Sequence, residues 1–395
     1  MDSSIHILDK ISFGKIVQIR DKLLMAQASG KKIFRFESGD PDFSLPPHIL
    51  NAIAEAGQQG KTHYTASTGI PELRKAISEK LQSKNGIDDV SFNNVFVTNG
   101  GMNGLFAVFI SLLDSDDEVI IPDPMWTEIA ENIKLGRGKP VSVPLLAKDD
   151  YEYSLDAIEE RISNKTKAIY VCSPHNPTGS VLSKEKLYKI IELASKHNLW
   201  IITDDAYEDI IYDPYKHYSL ANLAPEYKDN IISIFTFSKS YAMTGLRVGY
   251  IVTFSDKIMK RLPKILRCSI NGVNSMAQWG AYAALKGDQS HIQMMKSEFM
   301  KRRDIMYNNL SQIKNIKPFL PKGAFYMWVD LETGLYDRLG YKNAEEVSDY
   351  LLSLGIGNAP GNSFGKTGEN SLRFAFSCST KMVEEGTQKL KKALE

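Results

Sequence analysis

Across residues 95–254 the chain alternates short apolar, β-branched runs with helical segments, and this alternation limits the possible folds more than any other feature. The runs at 95–98, 118–121, 141–144, 168–171, 200–203, 231–237 and 248–254 read as buried strands. Helical spacing fills gaps between them at 100–113, 155–162 and 184–197. Parallel neighbours need crossovers of this kind, whereas antiparallel ones can turn back through two residues. The expected class is α/β, with helices covering a mainly parallel sheet. On either side, 11–30, 47–57, 278–286, 292–310 and 344–354 read as helices. Short strands are expected at 33–37, 324–329 and 371–377.

A chain of 395 residues can bury a large core. Its formal net charge of +1 gives no electrostatic case for nucleic acid or an anionic membrane, so an anionic small molecule would have to be met by local basic groups. The cysteines, Cys172, Cys268 and Cys378, are odd in number and far apart, which argues against a disulfide framework. The opening stretch MDSSIHILDKIS lacks an apolar secretion core, and no apolar run reaches membrane-spanning length. A cytoplasmic protein is expected.

Reactive groups gather just past the strand ends. Thr236, Ser238 and Lys239 follow the run that starts at Ile231, and Arg247 stands eight residues after the lysine, between Gly245 and Gly249. A lysine there is either a plain surface residue or a nucleophile for an aldehyde cofactor whose phosphate Thr236, Ser238 and Arg247 would hold. Asn99-Gly100-Gly101-Met102 leads from a strand into a helix, where backbone amides and the helix dipole favour an anion. This turn lacks the G-x-G-x-x-G spacing, which disfavours NAD. The stretch 361–367, GNSFGKT, superficially suggests a nucleotide loop, but its first glycine is one residue too close and a strand follows. None of the 7 histidines has metal-ligand spacing, and Asp204-Asp205 has no third ligand, so no metal is expected.

These residues also carry a family resemblance. Thr236-Phe237-Ser238-Lys239 followed by Ala242-Met243-Thr244-Gly245-Leu246-Arg247 resembles the lysine motif of the class I/II aminotransferases, fold-type I enzymes that use pyridoxal 5′-phosphate. Five further motifs repeat the match in order: Gly39-Asp40-Pro41-Asp42-Phe43, Tyr64 with Gly69 and Arg74, Asn176-Pro177-Thr178-Gly179, Asp204-Asp205-Ala206-Tyr207, and Pro360-Gly361 with Phe364-Gly365 ahead of Arg373. The resemblance implies a seven-stranded sheet with one strand antiparallel. It implies an N-terminal segment at 1–45, a large cofactor domain at 46–285 and a small C-terminal domain at 286–395.

The resemblance also implies roles. Lys239 would be the catalytic lysine and would hold the cofactor covalently. Gly100, Gly101, Met102, Thr236, Ser238 and Arg247 would bind its phosphate, with Tyr64 reaching the same phosphate from the other subunit of a homodimer. Trp126 would stack on the pyridine ring, Asp204 would keep the ring nitrogen protonated, and Tyr207 would tune the ring. Asn176 would serve both the ring oxygen and the substrate carboxylate, which Arg373 and the Gly39 backbone would orient. The implied partners are an amino acid of the aspartate or aromatic type and a 2-oxo acid such as 2-oxoglutarate, in a ping-pong exchange. Two alternatives share most of these residues: an eliminating β-lyase, and a non-catalytic regulator, which would need a DNA-binding domain for which the chain has neither spare length nor basic charge.

Overall fold

The computed structural model describes residues 6–395, so positions 1–5 of the expected N-terminal segment lie outside the described residues. Its main sheet has seven strands: β1 (Val95–Thr98), β2 (Glu118–Asp123), β3 (Lys139–Pro144), β4 (Thr166–Cys172), β5 (Trp200–Asp204), β6 (Ile231–Thr236) and β7 (Gly249–Thr253). They lie in the order β1-β7-β6-β5-β4-β2-β3. β7 runs antiparallel to both of its neighbours, β1 and β6, and every other pairing is parallel. This is the expected arrangement of one reversed strand in a parallel sheet.

Side-chain alternation assigns each strand residue to one of two cores. In β4, Ile169 and Val171 join the core built with helices Pro71–Ser83, Lys184–Lys196 and Ser275–Lys286. Ala168, Tyr170 and Cys172 face the opposite core, under helices Gly100–Leu112 and Asp256–Ser269. The sheet is buried on both faces, which is why its strands read as apolar runs.

A second, antiparallel sheet holds β8 (Ile316–Pro318), β9 (Tyr326–Leu331), β10 (Ala359–Pro360) and β11 (Ser371–Ala375) in the order β10-β11-β9-β8. Its core takes Phe299, Met306 and Leu310 from helix Ser290–Leu310 and Val383, Leu390 and Leu394 from helix Thr380–Leu394. Phe34 and Phe36 pack into the same core, and the Ala375 amide donates to the Phe36 carbonyl at 2.6 Å. The N-terminal segment is thereby tied to the C-terminal sheet.

Some expectations need correction. Residues 33–37 do not form a strand: only Phe34 makes a bridge, to Ile356, and the Phe36 amide turns back onto the Phe34 carbonyl. Burying two phenylalanine rings outweighs a regular ladder there. The helix expected at 155–162 is the shorter Leu155–Glu159, and the Arg161 and Ile162 amides close tighter three-residue turns instead. The helices Pro71–Ser83, Glu128–Leu135, Asp256–Ser269 and Thr380–Leu394 were not expected. Two of them start at serine caps: Ser255 accepts from the Ile258 amide and Ser379 from the Met382 amide. Among the described residues no helix is long and apolar enough to cross a membrane.

Candidate active site

A cavity of about 440 Å³ opens where β4, β5 and β6 end and β7 begins, under the edge of the second sheet. In an open, mostly parallel sheet the crevice beyond the carboxyl ends of the strands is where ligands bind. The reversal of β7 brings its first residues to that same edge. The lining joins Gly101, Met102, Trp126, Asn176, Asp204, Tyr207, Thr236, Ser238, Lys239 and Arg247 to Gly39 and Arg373, residues far apart in sequence.

Lys239 lies in the single helical turn Phe237–Ser240 that follows β6, so it stands one step beyond the strand end. The Thr236 hydroxyl caps this turn by accepting from the Ser238 amide at 3.2 Å. Lys239 Nζ is half-buried at the cavity wall and donates to the Gly39 carbonyl at 2.7 Å. Burial lowers its pKa to about 8; Arg247 and Arg373 push the same way, against Asp40 and Asp204. About a tenth of the amine is therefore neutral and nucleophilic at pH 7, against well under a thousandth for an ordinary lysine.

An anion cradle lies beside it. Helix Gly100–Leu112 points its N-terminus into the cavity, and Gly100 has a left-handed φ of 77°. A side-chain carbon at Gly100 would collide with the Arg247 guanidinium, so the glycine lets arginine and helix amides share one space. Arg247 itself adopts a left-handed φ of 56°, held by Nη1 donating to the Thr244 carbonyl at 2.7 Å. Unusual backbone of this kind persists at binding sites where the surroundings enforce it. The Thr236 and Ser238 hydroxyls, 2.9 Å apart, complete the cradle. The Met102 side chain accepts from Asn132 Nδ2 through its sulfur at 3.3 Å, leaving its backbone to the cradle.

On the opposite side, Asp204 ends β5 and takes two hydrogen bonds, from the Tyr170 hydroxyl at 2.6 Å and the Ala206 amide at 3.2 Å. Burial raises the Asp204 pKa while these two bonds and the nearby Lys239 ammonium oppose the rise. The hydroxyls of Tyr207 and Tyr326 are 2.9 Å apart. Arg373 is buried in β11, with Nη1 donating to Asn176 Oδ1 at 3.1 Å and Nη2 to the Glu37 carbonyl at 2.8 Å. Its Nε has no partner among the described residues, and its guanidinium lies over the rings of Tyr326 and Phe364 at 4.3 and 4.7 Å. A buried guanidinium with a spare donor is equipped for a planar carboxylate.

Tyr64 is the expected site residue that the chain does not gather: it is 92% exposed and stands outside the cavity lining. Tyr170, Cys172, Tyr326, Arg20 and Glu128 contact or line the site without having been anticipated. Tyr170 and Cys172 carried a usable signal, since they alternate along β4 toward the face on which Asp204 lies. Arg20 and Glu128 sit on helices whose orientation no local pattern gives. Residues 361–367 hold no free phosphate loop. Asp123 accepts from the Lys366 and Thr367 amides at 3.1 Å each and from the Thr367 hydroxyl at 2.6 Å.

Comparison with known proteins gives a consistent answer. The family profile for aminotransferase class I and II matches residues 31–390. A probable aspartate/prephenate aminotransferase of Aquifex aeolicus is 37% identical over 372 residues, covering 93% of each chain. The aspartate aminotransferase of Pyrococcus horikoshii is 37% identical over 361 residues, covering 90% of this chain and 89% of its own. Among solved structures, the Thermus thermophilus aspartate aminotransferase with maleate superposes with a TM-score of 0.92 at 28% identity, covering 100% of both chains.

Proposed function

The chain belongs to the class I and II aminotransferases, and from that premise we propose that it works with pyridoxal 5′-phosphate held on Lys239. It transfers an amino group between an L-amino acid and a 2-oxo acid, and its architecture is that of a fold-type I transferase. We take the amino donor to be of the aspartate or aromatic type and the acceptor to be 2-oxoglutarate. Residues 46–285 serve as the cofactor domain, 286–395 as the small domain, and the segment up to residue 45 supports the latter and the substrate region.

One arrangement above all supports the proposal: a half-buried lysine of depressed pKa beside both an anion cradle and a buried arginine with a spare donor. The residues present suit the cofactor. The Gly100–Met102 amides, the Thr236 and Ser238 hydroxyls and Arg247 would hold its phosphate, Trp126 would cover its ring, and Asp204 would face the ring nitrogen. Once bound, pyridoxal phosphate supplies an electrophilic carbonyl and an electron sink.

The protein residues do the rest. Arg373 takes the substrate α-carboxylate with Asn176 and the Gly39 backbone beside it, fixing which Cα bond faces the ring. Lys239 Nζ, when not engaged with the cofactor, would take the proton from the substrate Cα and give it back during the exchange. Asp204 would stay charged to keep a proton on the ring nitrogen, and Asn176 and Tyr207 would hydrogen-bond the ring oxygen. Ile16 and Val17, apolar, and Arg20, cationic, also line the cavity, a mix that supports a ring or a distal carboxylate on the substrate. The active unit is a homodimer in which Tyr64 reaches the partner's phosphate, in keeping with a large ring left in solvent on the single chain. The unpaired cysteines suit a reducing, cytoplasmic setting.

The test is a panel of L-amino acids against 2-oxoglutarate, with both products quantified. Aspartate or an aromatic donor should yield glutamate and the matching 2-oxo acid in equal amounts. Ammonia release without glutamate would overturn amino transfer in favour of elimination.

A further inference from the structure

We propose that Tyr170 is a positioning residue that keeps Asp204 charged and aimed at the cofactor ring. This rests on the reading of Asp204 as the partner of the ring nitrogen. In the parallel pairing of β4 with β5, Cys172 stands opposite Asp204 and Tyr170 opposite Ile202. Residues two apart share a sheet face, so Tyr170 lies on the Asp204 side, one diagonal step back. From there its hydroxyl reaches Asp204 Oδ2 at 2.6 Å, while Oδ1 takes the Ala206 amide at 3.2 Å. Asp204 lines the cavity and Tyr170 does not, so the phenol acts from behind the carboxylate.

The neighbourhood gives Tyr170 little freedom. Its side chain is fully buried among β-strand residues and the helix at 100–112. The Tyr153 hydroxyl donates to the Tyr170 carbonyl at 3.3 Å and accepts from the Cys172 amide at 3.1 Å, pinning the end of β4. A carboxylate buried here would otherwise favour its neutral form. A phenol donor stabilises the charged form, because hydrogen bonds to ions are the stronger kind. With the donor in place, the shared proton rests on the ring nitrogen; without it, the proton moves toward Asp204.

The experiment uses holoenzyme carrying pyridoxal phosphate labelled with nitrogen-15 in the ring, read by its chemical shift at neutral pH. Wild type should show a protonated ring nitrogen. Tyr170→Phe should move the resonance toward unprotonated pyridine, weaken cofactor binding about 10- to 100-fold and lower kcat by a similar factor, with the donor KM within about twofold. Tyr153→Phe, which deletes a nearby buried hydroxyl whose ring packs on the other face of the sheet, should leave the ring nitrogen unchanged. A ring-nitrogen shift in Tyr153→Phe equal to that in Tyr170→Phe would overturn the assignment, because the loss of any buried hydroxyl beside β4 would then suffice. If Asp204→Asn moves the resonance and Tyr170→Phe does not, the role of Tyr170 is wrong and that of Asp204 stands. If neither moves it, the Asp204 reading itself fails. A second measurement needs no loss of the phenol: 3-fluorotyrosine placed at position 170 should change its fluorine shift when Asp204→Asn is introduced, and an unchanged shift would refute the contact.

Discussion

Arg373 and Asn176 meet across the boundary between the two sheets: Nη1 of an arginine in β11 donates to Oδ1 of an asparagine just past β4 at 3.1 Å. Neither sheet alone holds this pair, so the proposed carboxylate site would exist only when the two are docked. Arg373→Ala should raise the KM for both amino and oxo acids about 10- to 100-fold, the range for a lost charged hydrogen bond, and change cofactor affinity far less. Steady-state kinetics beside a cofactor titration decide it. Equal losses of substrate and cofactor affinity would show that Arg373 does not serve the substrate alone.

Lys239→Ala should retain pyridoxal phosphate through the phosphate cradle, yet lose turnover by about a thousandfold or more, since both the covalent hold and the proton transfer go. Absorbance of the bound cofactor and a transfer assay measure the two effects separately. Near-normal transfer by this variant would remove Lys239 from the chemistry.

The lowered pKa of Lys239 makes a pH prediction for cofactor loading. Burial brings the amine down to about 8, and only the neutral amine attacks a carbonyl. Below that value the loading rate of the apoprotein should rise about tenfold per pH unit, and above it the rate should level off. An unperturbed lysine would keep the rate climbing beyond pH 10. Stopped-flow mixing of apoprotein with cofactor across this range gives the midpoint.

Arg20 is the lining cation left without a part in the proposed lysine, phosphate and α-carboxylate arrangements; among the described residues its guanidinium bonds only its half-exposed neighbour Asp21, at 3.2 Å. Exposed pairs of that kind contribute little, so the guanidinium is available to a ligand. Arg20→Ala should lower kcat/KM for aspartate about tenfold while leaving phenylalanine nearly unchanged, as expected for one solvent-accessible charge contact. Parallel kinetics with the two donors test it, and equal effects would assign the distal carboxylate elsewhere.

Subunit exchange tests the exposed Tyr64. Mixing Lys239→Ala protein with Tyr64→Ala protein gives hybrid dimers with one site intact in both residues and one site lacking both, if Tyr64 acts across the interface. Activity should then exceed that of either parent and approach about a quarter of wild type for random pairing of equal amounts, one intact site in the half of the dimers that are hybrids. Demonstrated hybrids with no recovery would confine Tyr64 to its own chain.

The sequence made the site legible wherever a motif was local. The seven strands, the glycine turn after β1 and the groups of Thr236, Ser238, Lys239 and Arg247 lie in short segments whose spacing carries their meaning. Contacts set by strand order were not legible. The Tyr170–Asp204 bond spans 34 positions and the Lys239–Gly39 bond 200, and each depends on which strand or segment lies beside which. The helix Asp256–Ser269 was missed because Pro263 interrupts its pattern, although tertiary burial of Ile258, Leu262 and Leu266 carries it through. Residues 33–37 read as a strand because β-propensity cannot distinguish a ladder from two rings seated in a core.

The reversal of β7 has a consequence for how the site is assembled. Because the chain turns back immediately after β6, only residues 237–248 separate the two strands, and that one loop carries both Lys239 and Arg247. Closing so short a connection requires little configurational entropy compared with uniting residues from distant segments. Lys239 and Arg247 are therefore local partners in the folding chain, present together as soon as the β6–β7 pair forms. Arg373 and the Gly39 segment must await long-range closure, whereas even doubling the length of residues 237–248 would add only about 0.6 kcal/mol and leave this the most local part of the site.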